Sequence, residues 1–333
     1  MKIYLAGDSI VQNYEKEEFI AGWGQFLSFF IKDGVEVVND AKGGRSSRLF
    51  INEGRFDNIE KNISAGDYLL IEFCHNDDAS KEYKTMFNRL TPLGEPDSDG
   101  RFPIIPGETM PKDYIPPEYI DALRKDENVK DKQAVLDSVY KILESYPHDT
   151  YYPYSADGSK GTYLWFLKQF VDMAREKGAV PVFVTAPART VYDANGNIKD
   201  GAGLHGGNNY AYIRVMKQLG EEAKVPVIDL FAYSCGLYKQ IGKEKIHWIT
   251  SIKKGCNKGI WPDDFNSEMQ KKETVSEDTH FNKYGAMLIT QGLVKLIKES
   301  DSSQLDGLKG MLKNPDGIDI EKYVKKPLVF EKF

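Results

Sequence analysis

Five short, mainly apolar stretches constrain this chain more than any other feature. They fall at 3–6, 35–38, 68–73, 180–185 and 226–230, are rich in Val, Ile, Leu, Tyr and Phe, and have Gly, Asp, Asn, His or Pro at or near their ends. A strand with one face in water would alternate apolar and polar residues; unbroken apolar runs suit parallel strands covered on both faces. Helical spacing fills the gaps, at 23–31, 55–63, 163–177, 210–223 and 286–297. The third of these closes on Lys177-Gly178, a helix stop signal. Strands alternating with helices predict an α/β fold, a three-layer α/β/α (flavodoxin-like) domain around a five-stranded parallel sheet. In such sheets the reactive groups gather beyond the carboxyl ends of the strands.

One region breaks the pattern. From 78 to 160 no strand is legible, and Pro103, Pro106, Pro111, Pro116 and Pro117 crowd the segment. Only 131–143 reads as a helix, with Val135, Val139 and Leu143 on one face. A stretch this long without elements is unusual inside a compact domain. We read it as an insertion after the third strand, packed over the active-site rim, serving either as a substrate-shaping lid or as a structural or oligomer-contact embellishment. The expected organisation is one domain over 1–300 with the insertion at about 78–160, and a C-terminal extension over 301–333 that wraps the surface.

Composition removes several classes of function. The formal net charge is -6 and no long basic run occurs, so the electrostatic footprint of a nucleic-acid binder is missing. No apolar run is long enough to cross a bilayer, so no membrane partner is expected. The three cysteines, Cys74, Cys235 and Cys256, are odd in number and spaced for neither zinc nor a disulfide framework, which reads as reduced thiols. The opening MKIYLAGDS lacks the pattern of a secretory leader; the expectation is a cytoplasmic protein, with a trimmed leader the alternative. His148, His205 and His247 show no ligand-like spacing, so neither metal nor cofactor is expected. Nothing in the sequence fixes an oligomeric state.

The chemistry-bearing residues sit at the strand ends. Gly7-Asp8-Ser9 follows the first strand, which presents the Ser9 hydroxyl where active sites form. A hydroxyl is a poor nucleophile near neutral pH and needs a base to take its proton. After the second strand comes Asn39-Asp40-Ala41-Lys42-Gly43-Gly44-Arg45-Ser46-Ser47-Arg48, where glycine lets the backbone turn and aim an N–H at a developing oxyanion. After the third comes Phe73-Cys74-His75-Asn76-Asp77, whose Asn76 amide can donate to the same oxyanion. Near the C-terminus comes Glu277-Asp278-Thr279-His280-Phe281-Asn282, where either carboxylate can orient the imidazole of a Ser-His-acid site.

These four ordered blocks resemble the signature blocks of the SGNH (GDSL-type) hydrolases. The local wording is closer still to the rhamnogalacturonan acetylesterase branch: Ala-Lys-Gly-Gly-Arg-Ser-Ser-Arg, Phe-Cys-His-Asn-Asp and Asp-Thr-His-Phe-Asn-Lys-Tyr-Gly-Ala all look like that branch's motifs. The likeness spans most of the chain outside 78–160 and the tail. It implies Ser9 as nucleophile and His280 as general base. It implies an oxyanion hole made of the Ser9 and Gly44 N–H groups and the Asn76 side chain. The chain departs from the pattern twice. Cys74 stands where the family usually has Gly. The family's acid usually sits three residues before the His, which favours Glu277, while Asp278 two before it remains the alternative.

Other candidates carry less information. Arg45 and Arg48 suit an anionic sugar such as galacturonate, against the commoner reading of solvated surface arginines. His75, beside Asn76, reads either as a substrate contact or as a satisfied structural histidine; Arg189 lies at the correct sheet edge for substrate contact, and loop structure alone also explains it. The expected activity is removal of O-acetyl groups from a pectic carbohydrate through an acetyl-enzyme. The alternatives are an acetylesterase for another decorated glycan such as xylan, or a catalytically silent carbohydrate-binding protein on the same scaffold.

Overall fold

The computed structural model describes residues 1–15, 20–78, 87, 89–196, 198, 210–252 and 276–324, the side chains of 252, 276 and 277 excepted. Among these residues, β1 (Lys2–Gly7), β2 (Glu36–Asn39), β3 (Tyr68–Glu72), β4 (Val180–Val184) and β5 (Val227–Ile228) form one parallel sheet in the order β2-β1-β3-β4-β5. The three-layer expectation holds, because both sheet faces are covered. Ile3, Leu5, Leu70, Val182 and Ile228 point into one core. Their strand neighbours Tyr4, Ala6, Leu69, Ile71 and Phe183 point into the other. Successive side chains of a strand face opposite ways, and here both sets are apolar, which is why the sequence showed runs instead of alternation.

The helices divide between the two faces. The second core is closed by α1 (Ser47–Asn52), α2 (Arg55–Asn62) and, further along the chain, Tyr163–Glu176 and Ala211–Ala223. The first is closed by a 3-10 helix at Trp23–Phe30, by Leu230–Ile241 and by Lys283–Glu299. The expected fifth strand is only two residues long. Asp229 caps the helix that follows by accepting from the Ala232 N–H at 3.2 Å, so Leu230 is already helical.

The insertion carries more structure than its prolines announced. It holds α3 (Pro117–Lys125), started by Pro117 in the first turn, and α4 (Lys132–Glu144), capped by the Asp131 carboxylate on Ala134 N–H at 2.9 Å. Among the described residues, the remaining α-helices in chain order are α5 (Tyr163–Glu176), α6 (Ala211–Ala223), α7 (Leu230–Ile241), α8 (Lys283–Glu299) and α9 (Asp306–Met311). Phe87, Tyr119, Leu123, Val139, Leu143, Tyr146 and Tyr151 form a separate small core that takes Leu49 from α1. The buried Arg48 guanidinium locks the two together, donating to the carbonyls of Tyr152, Phe87 and Leu90 at 3.0–3.1 Å. Arg48 is thus a strut between α1 and the insertion and has no free face for a sugar.

The tail is more than a surface wrap. Leu305, Leu308, Met311 and Leu312 are buried in the first core, and the Tyr68 hydroxyl on β3 donates to Gln304 O and accepts from Leu308 N. Among the described residues, no helix is long and apolar enough to cross a membrane.

Candidate active site

In this strand order the chain reverses direction across the sheet between β1 and β3, and crevices open at the carboxyl ends on either side of such a switch. Ser9 lies past the end of β1. The Asp8 carbonyl accepts from the N–H groups of Val11 and Gln12 at 3.2 and 3.0 Å, and this turn leaves Ser9 at its tip. The Asp8 carboxylate is fully buried beneath. Its Oδ1 accepts from Ile10 N–H at 2.9 Å, and its Oδ2 accepts from the Asn76 amide, also at 2.9 Å. One amide hydrogen of Asn76 is therefore engaged, and the amide's orientation is fixed from below. Burial pushes the Asp8 carboxyl up to about 6, against the Ile10 N–H, the His280 charge, the Asn76 amide and Arg89, which pull it down.

The loop after β2 comes to the same place. Gly43 N–H donates to the Gln12 side-chain oxygen, and Arg45 N–H donates to Lys42 O at 3.2 Å. The turn puts Gly44 at φ +81°, a left-handed conformation that favours glycine. Neither Ser9 N–H nor Gly44 N–H donates to another described residue. The loop is pinned to β3's end by Asp77, whose carboxylate accepts from the Ser47 N–H at 3.0 Å and hydroxyl at 2.5 Å. The second and third sequence blocks are thus bonded to each other.

His280 arrives from the far end of the chain. It lies on β7 (Ser276–Phe281), which pairs antiparallel with β6 (Thr250–Ile252). Thr250 faces Phe281 and Ile252 faces Ser276, so β7 carries extra residues between the two pairs. A bulge of this kind breaks the alternation of side chains and re-aims them. Its C-terminal end is anchored at Asn282, whose amide donates to Trp248 O and Thr250 O while its oxygen caps α8 on Gly285 N–H. Gly285 has no room for a side chain, since a Cβ there would fall 2.0 Å from Ile249 O. The result brings His280 Nε2 to 2.8 Å from Ser9 Oγ, within the reach that a nucleophile and its base require.

The acids differ in what can be seen of them. The Glu277 side chain lies outside the described residues, as do His205 and Cys256. Asp278 faces away into other partners. Its Oδ1 accepts from the Thr279 hydroxyl at 2.9 Å and pairs with Arg189 at 3.6 Å, and its carbonyl accepts from Thr190 N–H at 2.8 Å. Arg189 therefore ties the segment after β4 to β7.

Arg45 holds Glu53 in a two-pronged contact, both bonds at 2.8 Å, and donates to Gly43 O at 2.8 Å. It borders a polar hollow of about 460 Å³ together with Asp40, Glu53, Arg55, Asn58 and Tyr146. His75 is corrected: at 1% exposure it is a core residue and offers no surface to a substrate. Cys74, in the family's glycine position, packs fully buried in the second core. Three residues at the site escaped the sequence reading. Gln12 engages Gly43, Tyr14 donates its hydroxyl to Ser9 O at 3.0 Å, and the Arg89 guanidinium lies against Gly44. None of them sits in a periodic or motif-like context.

No protein-family model matches the chain. Individual proteins do. It is 30% identical over 300 residues to the rhamnogalacturonan acetylesterase RhgT of Bacillus subtilis, covering 90% of each chain. It is 45% identical over 78 residues to the rhamnogalacturonan acetylesterase of Emericella nidulans, covering 23% of this chain and 29% of that one. Among solved structures, protein YxiM of Bacillus subtilis aligns with a TM-score of 0.50 at 18% identity, over 91% of this chain and 57% of that one, and supports the fold alone. With its fold matched and its identity sustained along nearly its whole length, the chain belongs to the rhamnogalacturonan acetylesterase family and is a carboxylic ester hydrolase.

Proposed function

We propose that the chain removes O-acetyl groups from acetylated pectic carbohydrate, rhamnogalacturonan or its oligosaccharides, by Ser-His-acid catalysis. The 2.8 Å approach of His280 Nε2 to Ser9 Oγ carries the reading. Ser9 Oγ attacks the acetyl carbonyl carbon while His280 Nε2 takes its proton. The tetrahedral oxyanion lies between Ser9 N–H, Gly44 N–H and the second amide hydrogen of Asn76, donors that need no reorganisation because none is spent on a described protein acceptor. Collapse breaks the bond to the sugar oxygen, which takes the proton back from His280. Water then attacks the acetyl-enzyme by the same route in reverse and releases acetate. Glu277 is the acid assigned to orient the imidazole, because the Asp278 carboxylate already serves Thr279 and Arg189. Arg45 and Arg189 remain the proposed substrate contacts at the rim.

The test is acetate release from acetylated rhamnogalacturonan oligosaccharides by the wild type, Ser9→Ala and His280→Ala. Release by the wild type that collapses in both variants supports the mechanism and the substrate class. Release from small synthetic acetyl esters alone keeps the mechanism and discards the pectic substrate. Turnover retained by Ser9→Ala sinks the nucleophile assignment.

A further inference from the structure

Among the described residues, Arg89 is a cation at the site that the proposed chemistry does not use. Its guanidinium lies directly over the oxyanion loop: a Cβ built on Gly44 would fall 3.1 Å from Nη2, 3.5 Å from Cζ and 3.7 Å from Nε. The side chain is half-buried. Among the described residues it makes no hydrogen bond and no ion pair, whereas its neighbour Arg45 already pairs with Glu53 and donates to Gly43 O. Burial and then repulsion from Arg45 make the charged form harder to keep, with only Asp8 opposing them. Asp8 is itself engaged by Ile10 and Asn76.

The placement is held by the fold. Arg48 donates to Phe87 O and Leu90 O on either side of Arg89, Thr91 N–H donates to Asp77 O at 3.1 Å, and the Thr91 hydroxyl donates to Arg89 O at 3.1 Å. Keeping a cation partly desolvated without a counter-charge is costly, and such a group in a cleft is a binding-site candidate. Guanidinium presents paired donors that match a carboxylate in a two-pronged contact.

We infer that Arg89 is the receptor for a carboxylate on the substrate, borne by a uronate ring at or next to the acetylated position, so that the enzyme selects acidic over neutral acetylated glycans. This deepens the pectic reading and rests on it for the natural substrate, but the receptor itself can be probed separately. The first probe is digalacturonate as an inhibitor of 4-nitrophenyl acetate hydrolysis, with galactobiose as the uncharged control. Wild type is inhibited by the acid and not by the neutral sugar, and Arg89→Gln raises the inhibition constant about 10- to 100-fold. Arg89→Lys keeps the charge without the fork and falls between them. The second probe is the ratio of kcat/KM on acetylated uronate-containing oligosaccharides to that on acetylated xylo-oligosaccharides, which drops by a similar factor in Arg89→Gln, mainly through KM. Equal loss on every substrate, aryl acetate included, overturns the inference and makes Arg89 part of the oxyanion environment. Equal inhibition of wild type and Arg89→Gln by digalacturonate overturns it as well. Digalacturonate inhibition that depends on Arg89, with no acetate released from pectic esters, keeps the receptor and discards the pectic substrate instead.

Discussion

At the scale of single residues, the site rests on the fully buried Asp8 carboxylate. Asp8 fixes both the turn that carries Ser9 and the Asn76 amide, so under the proposed mechanism Asn76→Ala removes an oxyanion donor. The expected loss is about 10²–10³ in kcat with little change in KM, checked by steady-state kinetics on an aryl acetate. Below Asp8, Glu72 is fully buried, and neither of its oxygens has a hydrogen-bond partner among the described residues. Burial, then the charges of Asp8 and Asp77, drive its carboxyl well above the usual range, while burial pushes Asp77 to about 7. All three groups are easier to protonate in the folded chain than in the unfolded one. The folded state therefore holds more protons, and stability falls as pH rises from the unfolded carboxylate range near 4 through these raised values. Glu72→Gln removes one such group without changing its shape. Urea midpoints should show that the decline between pH 5 and pH 8 becomes shallower in the variant, by at most about 1.4 kcal/mol per pH unit. An unchanged slope would mean that Glu72 is ionised in the native state.

At the scale of elements, the bulge in β7 bears on which acid the proposed mechanism pairs with His280. In a regular strand, residues two apart share a face, which would put Asp278 beside His280 and Glu277 opposite. The register jump between Ser276 and Phe281 cancels that rule, and the Asp278 carboxylate is found with Arg189 and Thr279. Glu277→Gln should lower kcat by about 10²–10⁴, as expected when the imidazole loses its orienting charge. Asp278→Asn should cost less than about tenfold, since it loosens only a partly exposed pair. The reverse ranking, measured on the same ester, would transfer the role to Asp278. Element lengths also explain what was hard to read. α1 spans six residues, fewer than two helical turns, so its periodicity cannot repeat, and α7 contains Ser234, Cys235 and Gly236, weak helix formers in its middle. The long apolar strands and α5 were legible because burial on both sheet faces leaves a continuous signature.

At the scale of the whole molecule, the tail belongs to the core. Leu305, Leu308, Met311 and Leu312 are each buried, and full burial of such a side chain is worth roughly 1.5–3 kcal/mol. Ending the chain at residue 300 should therefore lower the thermal midpoint by well over 10 °C or prevent soluble expression, as read by calorimetry. A truncated chain that melts with the intact one would show the tail to be dispensable.

The sequence by itself determined the layered α/β fold, the carboxyl-edge location of the site and the pairing of Ser9 with His280, because apolar runs and residues placed at strand ends are local properties of the chain. Only the tertiary structure decided the rest. Arg48 became a strut and His75 a core residue because burial depends on what packs above them. Arg89 was brought from the insertion onto Gly44, a contact between segments 45 residues apart that no local pattern encodes.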